Sequence, residues 1–257
     1  MKKRKVVQIY IFSLIFAICV VTVRYKLYEG CFNCPTNSNS SSRKYIYDIL
    51  QYEEHQVVKD IKSETIQKLE QLQSINSEIV ALLEIEGTNI NYPLLYSGDN
   101  TYYLTHNYKK EKSKDGALML DKDCNLLKQT TNILIYGHNN IGSNEMFADL
   151  IKYKNKEFYN NHKTIKFTTN TEESVYEIIF VFLSKVYNKS QTDVFKYYFF
   201  INAENKQHFD NFISNCKNLS LYDTHNTAEY GDQLMTLSTC EYSRLNGRLA
   251  VVAKKIK

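Results

Sequence analysis

From Ile79 onward the chain is a succession of short β-prone runs, and this pattern most restricts what it can fold into. The runs lie near 79–85, 90–95, 117–120, 132–136, 164–168, 174–187, 234–239 and 248–255. Turn-rich stretches such as Ser97-Gly98-Asp99-Asn100 and Ser113-Lys114-Asp115-Gly116 separate them. Strands alternating with helices would build a parallel α/β sheet. Strand after strand with turn signals between them favours a closed barrel or a sandwich. One stretch departs from the pattern: between Glu204 and Leu219, the residues Phe209, Phe212, Ile213 and Cys216 share one helical face. The expected fold is therefore mainly β, with about eight strands and a helix inserted before the seventh. No internal repeat is present.

Ahead of the strands the period is helical. Arg43 to about Ser74 contains no Gly or Pro, and Ile46, Ile49, Leu50, Val57, Ile61, Leu69 and Leu72 recur at roughly helical spacing. One or two amphipathic helices packed on the β region are expected there. Asn33 to Ser42 is polar and Ser/Asn-rich, which reads as a flexible linker. Val6 to Val23 is an almost unbroken apolar run of 18 residues. As a helix it would span about 27 Å, close to the hydrocarbon thickness of a bilayer. The basic block Lys2, Lys3, Arg4 and Lys5 precedes it, and only Arg24 and Lys26 follow closely. The positive-inside rule then sets the N-terminus in the cytoplasm and the rest outside. The run is long for a cleaved signal peptide and no A-x-A-like site follows it. The expected organisation is a cytoplasmic basic segment at 1–5, a transmembrane anchor at 6–23, a linker at 24–42, a helical extension at 43–76 and a β domain at 77–257. The expected localisation is the cell membrane, single-pass, with the large domain extracellular.

Composition removes some function classes. A net charge of +4, much of it in the N-terminal block, is too mild to imply a nucleic-acid partner. The 21 tyrosines are spread along the chain and read as strand and core residues. Of six cysteines, Cys31 and Cys34 form a C-x-x-C in the linker, and Cys124, Cys216 and Cys240 are scattered. No second C-x-x-C or paired histidine motif supports a zinc site, so no metal is expected. Cys31 and Cys34 read as two linker thiols, with a local disulfide as the alternative.

The chemistry-bearing residues sit at strand ends. The run Leu234 to Thr239 closes on Cys240, a connection ending in Asn246-Gly247 follows, and Arg248 opens the returning run Leu249-Ala250-Val251-Val252. Asn-Gly is a turn signal, and antiparallel pairing would bring the thiol and the guanidinium to one strand end. A nucleophile beside a fixed positive charge is half of an acyl-transfer site. The missing half is a base. Ile133-Leu134-Ile135-Tyr136 is a short apolar strand that stops at Gly137-His138-Asn139-Asn140, so His138 also sits where a scaffold presents functional side chains. The other histidines, His55, His106, His162, His208 and His225, have no comparable setting.

The segments Thr236-Leu237-Ser238-Thr239-Cys240, Tyr136-Gly137-His138 and Arg248 before Leu-Ala-Val-Val-Ala-Lys resemble the signature segments of class B sortases. Flanking residues fit as well, including Ile85-Glu86-Gly87-Thr88-Asn89, Asp99-Asn100-Thr101-Tyr102-Tyr103-Leu104 and Asp115-Gly116-Ala117-Leu118. The resemblance covers about residues 45–257. It implies an eight-stranded β-barrel with N-terminal helices and an inserted helix before the cysteine strand. It also implies a membrane-anchored cysteine transpeptidase working without metal or organic cofactor. Cys240 would be the nucleophile, His138 the acid and base, and Arg248 the oxyanion or substrate holder, with Arg244 as the alternative arginine. Ser238 and Glu241 match positions that contact sorting signals in the family, and Thr239 between them is grouped with them. The implied partners are surface proteins with an Asn-Pro-x-Thr-like sorting signal, an amine of the peptidoglycan precursor or cross-bridge, and the membrane. Two neighbouring readings keep the same thiol: a pilus-polymerising sortase that accepts a pilin lysine, and a membrane-anchored cysteine hydrolase that uses water.

Overall fold

In the computed structural model, residues 64–257 apart from positions 129 and 189 are described. Eight strands form a closed barrel: β1 (Ile79–Glu84), β2 (Asn91–Leu95), β3 (Leu118–Leu120), β4 (Asn132–Tyr136), β5 (Thr164–Thr168), β6 (Glu173–Lys185), β7 (Leu234–Cys240) and β8 (Gly247–Lys255). Each lies within two residues of its expected run. Their order around the barrel is β1-β2-β3-β4-β7-β8-β6-β5. Most pairs are antiparallel, but β2 with β3 and β4 with β7 are parallel. The β4–β7 pair joins distant parts of the chain, because β5, β6 and the inserted helix Lys206–Leu219 lie between them in sequence.

Burial follows from the strand chemistry. In β5 the side chains alternate until the last residue, with Ile165 and Phe167 inside and Thr164 and Lys166 outside. Strands β7 and β4 are covered on both faces and read as nearly continuous buried runs. The main core joins Leu83, Leu94, Leu134, Val181, Leu237 and Val251 from several strands with Phe209 and Phe212 of the inserted helix. That helix starts at Asn205, whose side chain accepts from the His208 N–H, a standard N-cap bond.

A second apolar cluster lies on an outer face of the barrel. The helix over 64–75 puts Leu69, fully buried, against Ile79, Leu82, Leu95, Tyr103, Ala117 and Met119. Burying a leucine of this kind is worth about 1.5–3 kcal/mol. Part of the expected N-terminal helical region is therefore present as helix. Its earlier residues, the linker with Cys31 and Cys34, and the segments at 1–5 and 6–23 lie outside the described residues.

The localisation expected from sequence is corrected. Among the described residues no helix is long and apolar enough to cross a membrane. The apolar run on which a single-pass membrane location rested, residues 6–23, lies outside them, so an extracellular placement of the barrel is not carried forward.

Candidate active site

The site is built where β4, β7 and β8 end together. Strand β7 carries three hydroxyls in a buried setting, and each has a partner. Thr236 Oγ1 donates to Asn132 Oδ1 (2.9 Å), Ser238 Oγ bonds the Tyr197 phenol (2.7 Å), and Thr239 Oγ1 donates to Gly137 O (2.8 Å). Polar groups survive in such a strand because their hydrogen bonds are made internally. Cys240 closes the strand and is partly exposed, whereas Cys124 and Cys216 are buried. Burial pushes the thiol of Cys124 up to about 11 and that of Cys216 well above its ordinary value, so both are poor nucleophiles.

Arg248 is the cross-strand partner of Cys240. The Glu241 N–H donates to Gly247 O at 3.0 Å. That bond makes 241/247 the hydrogen-bonded rung and leaves Cys240/Arg248 on the adjacent non-hydrogen-bonded rung, where side chains stand closer, at about 4.5 Å between Cα atoms. The connection returns through Asn246, whose φ of 56° is left-handed, a conformation asparagine tolerates. Gly247 follows because a Cβ there would meet Glu241 O at 2.2 Å. Arg248 donates from one guanidinium nitrogen to Gly247 O at 2.9 Å. That is the guanidinium's single hydrogen bond among the described residues, so the rest of its planar fork is left for a ligand. Arg244, the alternative arginine, is exposed in the loop.

His138 sits just beyond β4, which runs parallel to β7 with Tyr136 opposite Ser238. Its Nε2 lies 2.8 Å from Leu104 O. A carbonyl only accepts, so Nε2 carries a proton and Nδ1 is the other ring nitrogen available for chemistry. The backbone is pinned by the bond from Phe147 N–H to His138 O (2.9 Å). Asp115 lies close enough to feel the histidine. Burial works to raise its carboxyl pKa, but bonds from Asn140 and Ser143 and the charges of Lys114 and His138 outweigh it and hold the value low.

Cys240, His138 and Arg248 line one cavity of ≈ 510 Å³, together with Ser238 and Thr239. Glu241 is not among the lining residues. Its buried carboxylate is turned to Lys154 Nζ (2.9 Å) and to the N–H and hydroxyl of Ser243 (3.1 and 2.5 Å). The cavity is also lined by Asn100, Leu104, Tyr197 and Tyr198. None of these four was singled out from sequence as a site residue. The aromatic run Tyr197-Tyr198-Phe199-Phe200 was the available signal for the last two. Among the described residues no group of three or more His, Cys, Asp or Glu is arranged to hold a metal ion.

The arrangement can support acyl transfer: a thiol, an imidazole and a guanidinium converge on one hollow with room for an extended peptide. Comparison with known proteins shows what the chain as a whole is similar to. The family model described as Sortase domain matches residues 83–256. Sortase B of Staphylococcus aureus is 28% identical over 249 residues, covering 96% of both chains. Sortase B of Listeria monocytogenes is 32% identical over 199 residues, covering 77% of both. The solved Staphylococcus aureus sortase B–substrate complex superposes with a TM-score of 0.68 at 28% identity, covering 84% of this chain and 97% of that one.

Proposed function

Because the chain belongs to the sortase family and to its class B, whose members are cysteine transpeptidases, we propose that Cys240, His138 and Arg248 carry its reaction. The reaction cuts a C-terminal sorting signal of the Asn-Pro-x-Thr type after threonine and joins the protein to a cell-wall amine. The observation that carries this reading is the shared cavity, with Arg248 directly across the strand pair from Cys240.

The Cys240 thiol gives its proton to Nδ1 of His138, and the resulting thiolate attacks the threonine carbonyl carbon. The oxygen gains charge as the tetrahedral intermediate forms, and the unengaged donors of Arg248 hold it. Breakdown expels the downstream amine, which His138 protonates, and leaves a thioester between threonine and Cys240. The acceptor amine then attacks the thioester, His138 takes its proton, and the thiolate departs. With Nε2 tied to Leu104 O, Nδ1 is the nitrogen that exchanges the proton. Ser238 and Thr239 shape the floor beneath the signal. Glu241 acts from behind the loop through Lys154 and Ser243.

The test is product analysis with the purified full chain, an Asn-Pro-x-Thr-type peptide, and triglycine as the amine. The expected product is the threonine fragment joined to triglycine, absent with Cys240→Ala and nearly absent with His138→Ala. Hydrolysis alone at every amine concentration would favour the hydrolase. Unchanged activity of Cys240→Ala would remove the nucleophile assignment.

A further inference from the structure

The backbone pairing of β4 with β7 runs out just before the reactive residues. Its last rung is the Gly137 N–H to Ser238 O bond, already long at 3.3 Å. Beyond that point the two chains are stitched by side chains. Thr239 Oγ1 donates to Gly137 O at 2.8 Å. Asn139 Nδ2 donates to Cys240 O at 3.0 Å. The Tyr242 phenol donates to Asn139 O at 2.6 Å. His138 is thus bracketed: the residue before it and the residue after it are both bonded to the segment that carries Cys240.

Resting on the assignment of Cys240 and His138 as the reacting pair, we propose that Asn139 and Tyr242 are positioning residues, a side-chain strap that continues the β4–β7 pairing and fixes His138 in register with Cys240. Neither need touch substrate to do so. Asn139 ties the peptide unit that follows the nucleophile to the one that follows the histidine. Tyr242 closes the strap from the β7–β8 connection.

Two features separate this role from ordinary structural support. Tyr242 is 56% exposed, so removing its hydroxyl leaves core packing intact and unmasks no buried group. Its bond falls on the histidine's neighbour rather than on a strand, so its effect belongs to local alignment and not to global folding. A shift of about 1 Å between reacting groups can cost about a hundredfold in rate. The phenol also remains a donor at neutral pH: burial raises its pKa and the charge on Cys240 adds to this, while Arg248 pulls the other way.

The experiment compares the full chain with Tyr242→Phe, Asn139→Ala and His138→Ala. The readouts are kcat and KM with an Asn-Pro-x-Thr-type peptide and triglycine, the pH profile of Cys240 alkylation by iodoacetamide, and Tm. The expected result for Tyr242→Phe is a fall in kcat of about tenfold, the worth of one aligned hydrogen bond. Its KM should stay within about twofold and its Tm within about 2 °C. Asn139→Ala should lose about ten- to a hundredfold in kcat. Both alkylation profiles should move toward that of His138→Ala. A lowered Tm with unchanged kcat would overturn the strap, and so would a rise in KM alone. If His138→Ala changes rate and profile while Tyr242→Phe and Asn139→Ala do not, the strap alone fails. If His138→Ala itself changes neither, the assignment beneath it fails and the strap falls with it.

Discussion

Cys240 and Arg248 face each other on the non-hydrogen-bonded rung beside the Glu241–Gly247 bond, at the end of β7 and the start of β8. No carboxylate pairs with the guanidinium among the described residues, and its one hydrogen bond is to the neighbouring carbonyl. An arginine left this way beside a thiol has donors to offer to a developing negative charge.

The two arginines of the connection should therefore behave differently. Arg248→Ala should lose at least about a hundredfold in kcat/KM, the scale of removing an oxyanion donor. Arg248→Lys should recover little, since a point charge lacks the planar fork. Arg244→Ala, at an exposed loop position, should stay within a few-fold of the parent. Steady-state kinetics of the three variants decides, and the reverse ranking moves the assignment to Arg244.

Gly247 is needed for space and not for an unusual φ. A Cβ there would meet Glu241 O at 2.2 Å and Arg244 O at 3.0 Å, both backbone atoms that cannot swing aside. Gly247→Ala should cost about 1–3 kcal/mol of stability, as overpacking does. It should also lower kcat, because it displaces the residue next to Arg248. Urea melts and kinetics measured together check this, and a fully active, fully stable variant would show that the loop yields easily.

Glu241 makes a pH-dependent contribution to stability. Burial works to raise its carboxyl pKa, but the bonds from Ser243 and Lys154 outweigh it and hold the value below the usual 4.5. A carboxyl depressed in the folded state stabilises above its unfolded value and loses that stabilisation as pH falls through the folded one. Glu241→Gln should be less stable than the parent at pH 7 by about 1–3 kcal/mol. The gap should shrink as pH drops below the ordinary glutamate range and close beneath the depressed value. A gap that is constant with pH would contradict the ion-paired role.

Tyr197 and Ser238 form a buried pair, and burial pushes the phenol up to about 12. Tyr197→Phe or Ser238→Ala alone leaves one buried group without its partner, at about 1–3 kcal/mol. The double variant should cost clearly less than the sum of the two. Strict additivity in that cycle would mean the bond contributes nothing to the fold.

The strands were legible because turn signals separate short β-prone runs, and because barrel faces impose period-two burial, as in β5. The β7–β8 hairpin was legible from Asn246-Gly247 and the apolar runs on either side. The parallel pairing of β4 with β7 was not, because it joins residues about a hundred positions apart and no local period encodes which distant strand closes a barrel. The thiol, imidazole and guanidinium could be named as strand-end residues, but the bond from His138 Nε2 to Leu104 O could not. It depends on a short 3₁₀ turn, Tyr102–Leu104, carried to the site by the path of the chain after β2. Glu241 shows the reverse problem. The resemblance implied a substrate contact for it, while in the fold the chain turns there and its carboxylate bonds Lys154. The membrane expectation drew on residues 1–23 and on the resemblance, and among the described residues no helix is long and apolar enough to cross a membrane.

The central claim is a covalent one: the peptide passes through a thioester on Cys240. The most direct measurement is peptide mapping by mass spectrometry of the enzyme, acid-quenched during turnover of an Asn-Pro-x-Thr-type peptide with no amine supplied. The account predicts a mass increase equal to the fragment ending in threonine, located on the peptide that contains Cys240. Hydroxylamine should remove it as the threonine hydroxamate. Turnover with Cys240 unmodified at every quench time, and no hydroxamate formed, would contradict the account.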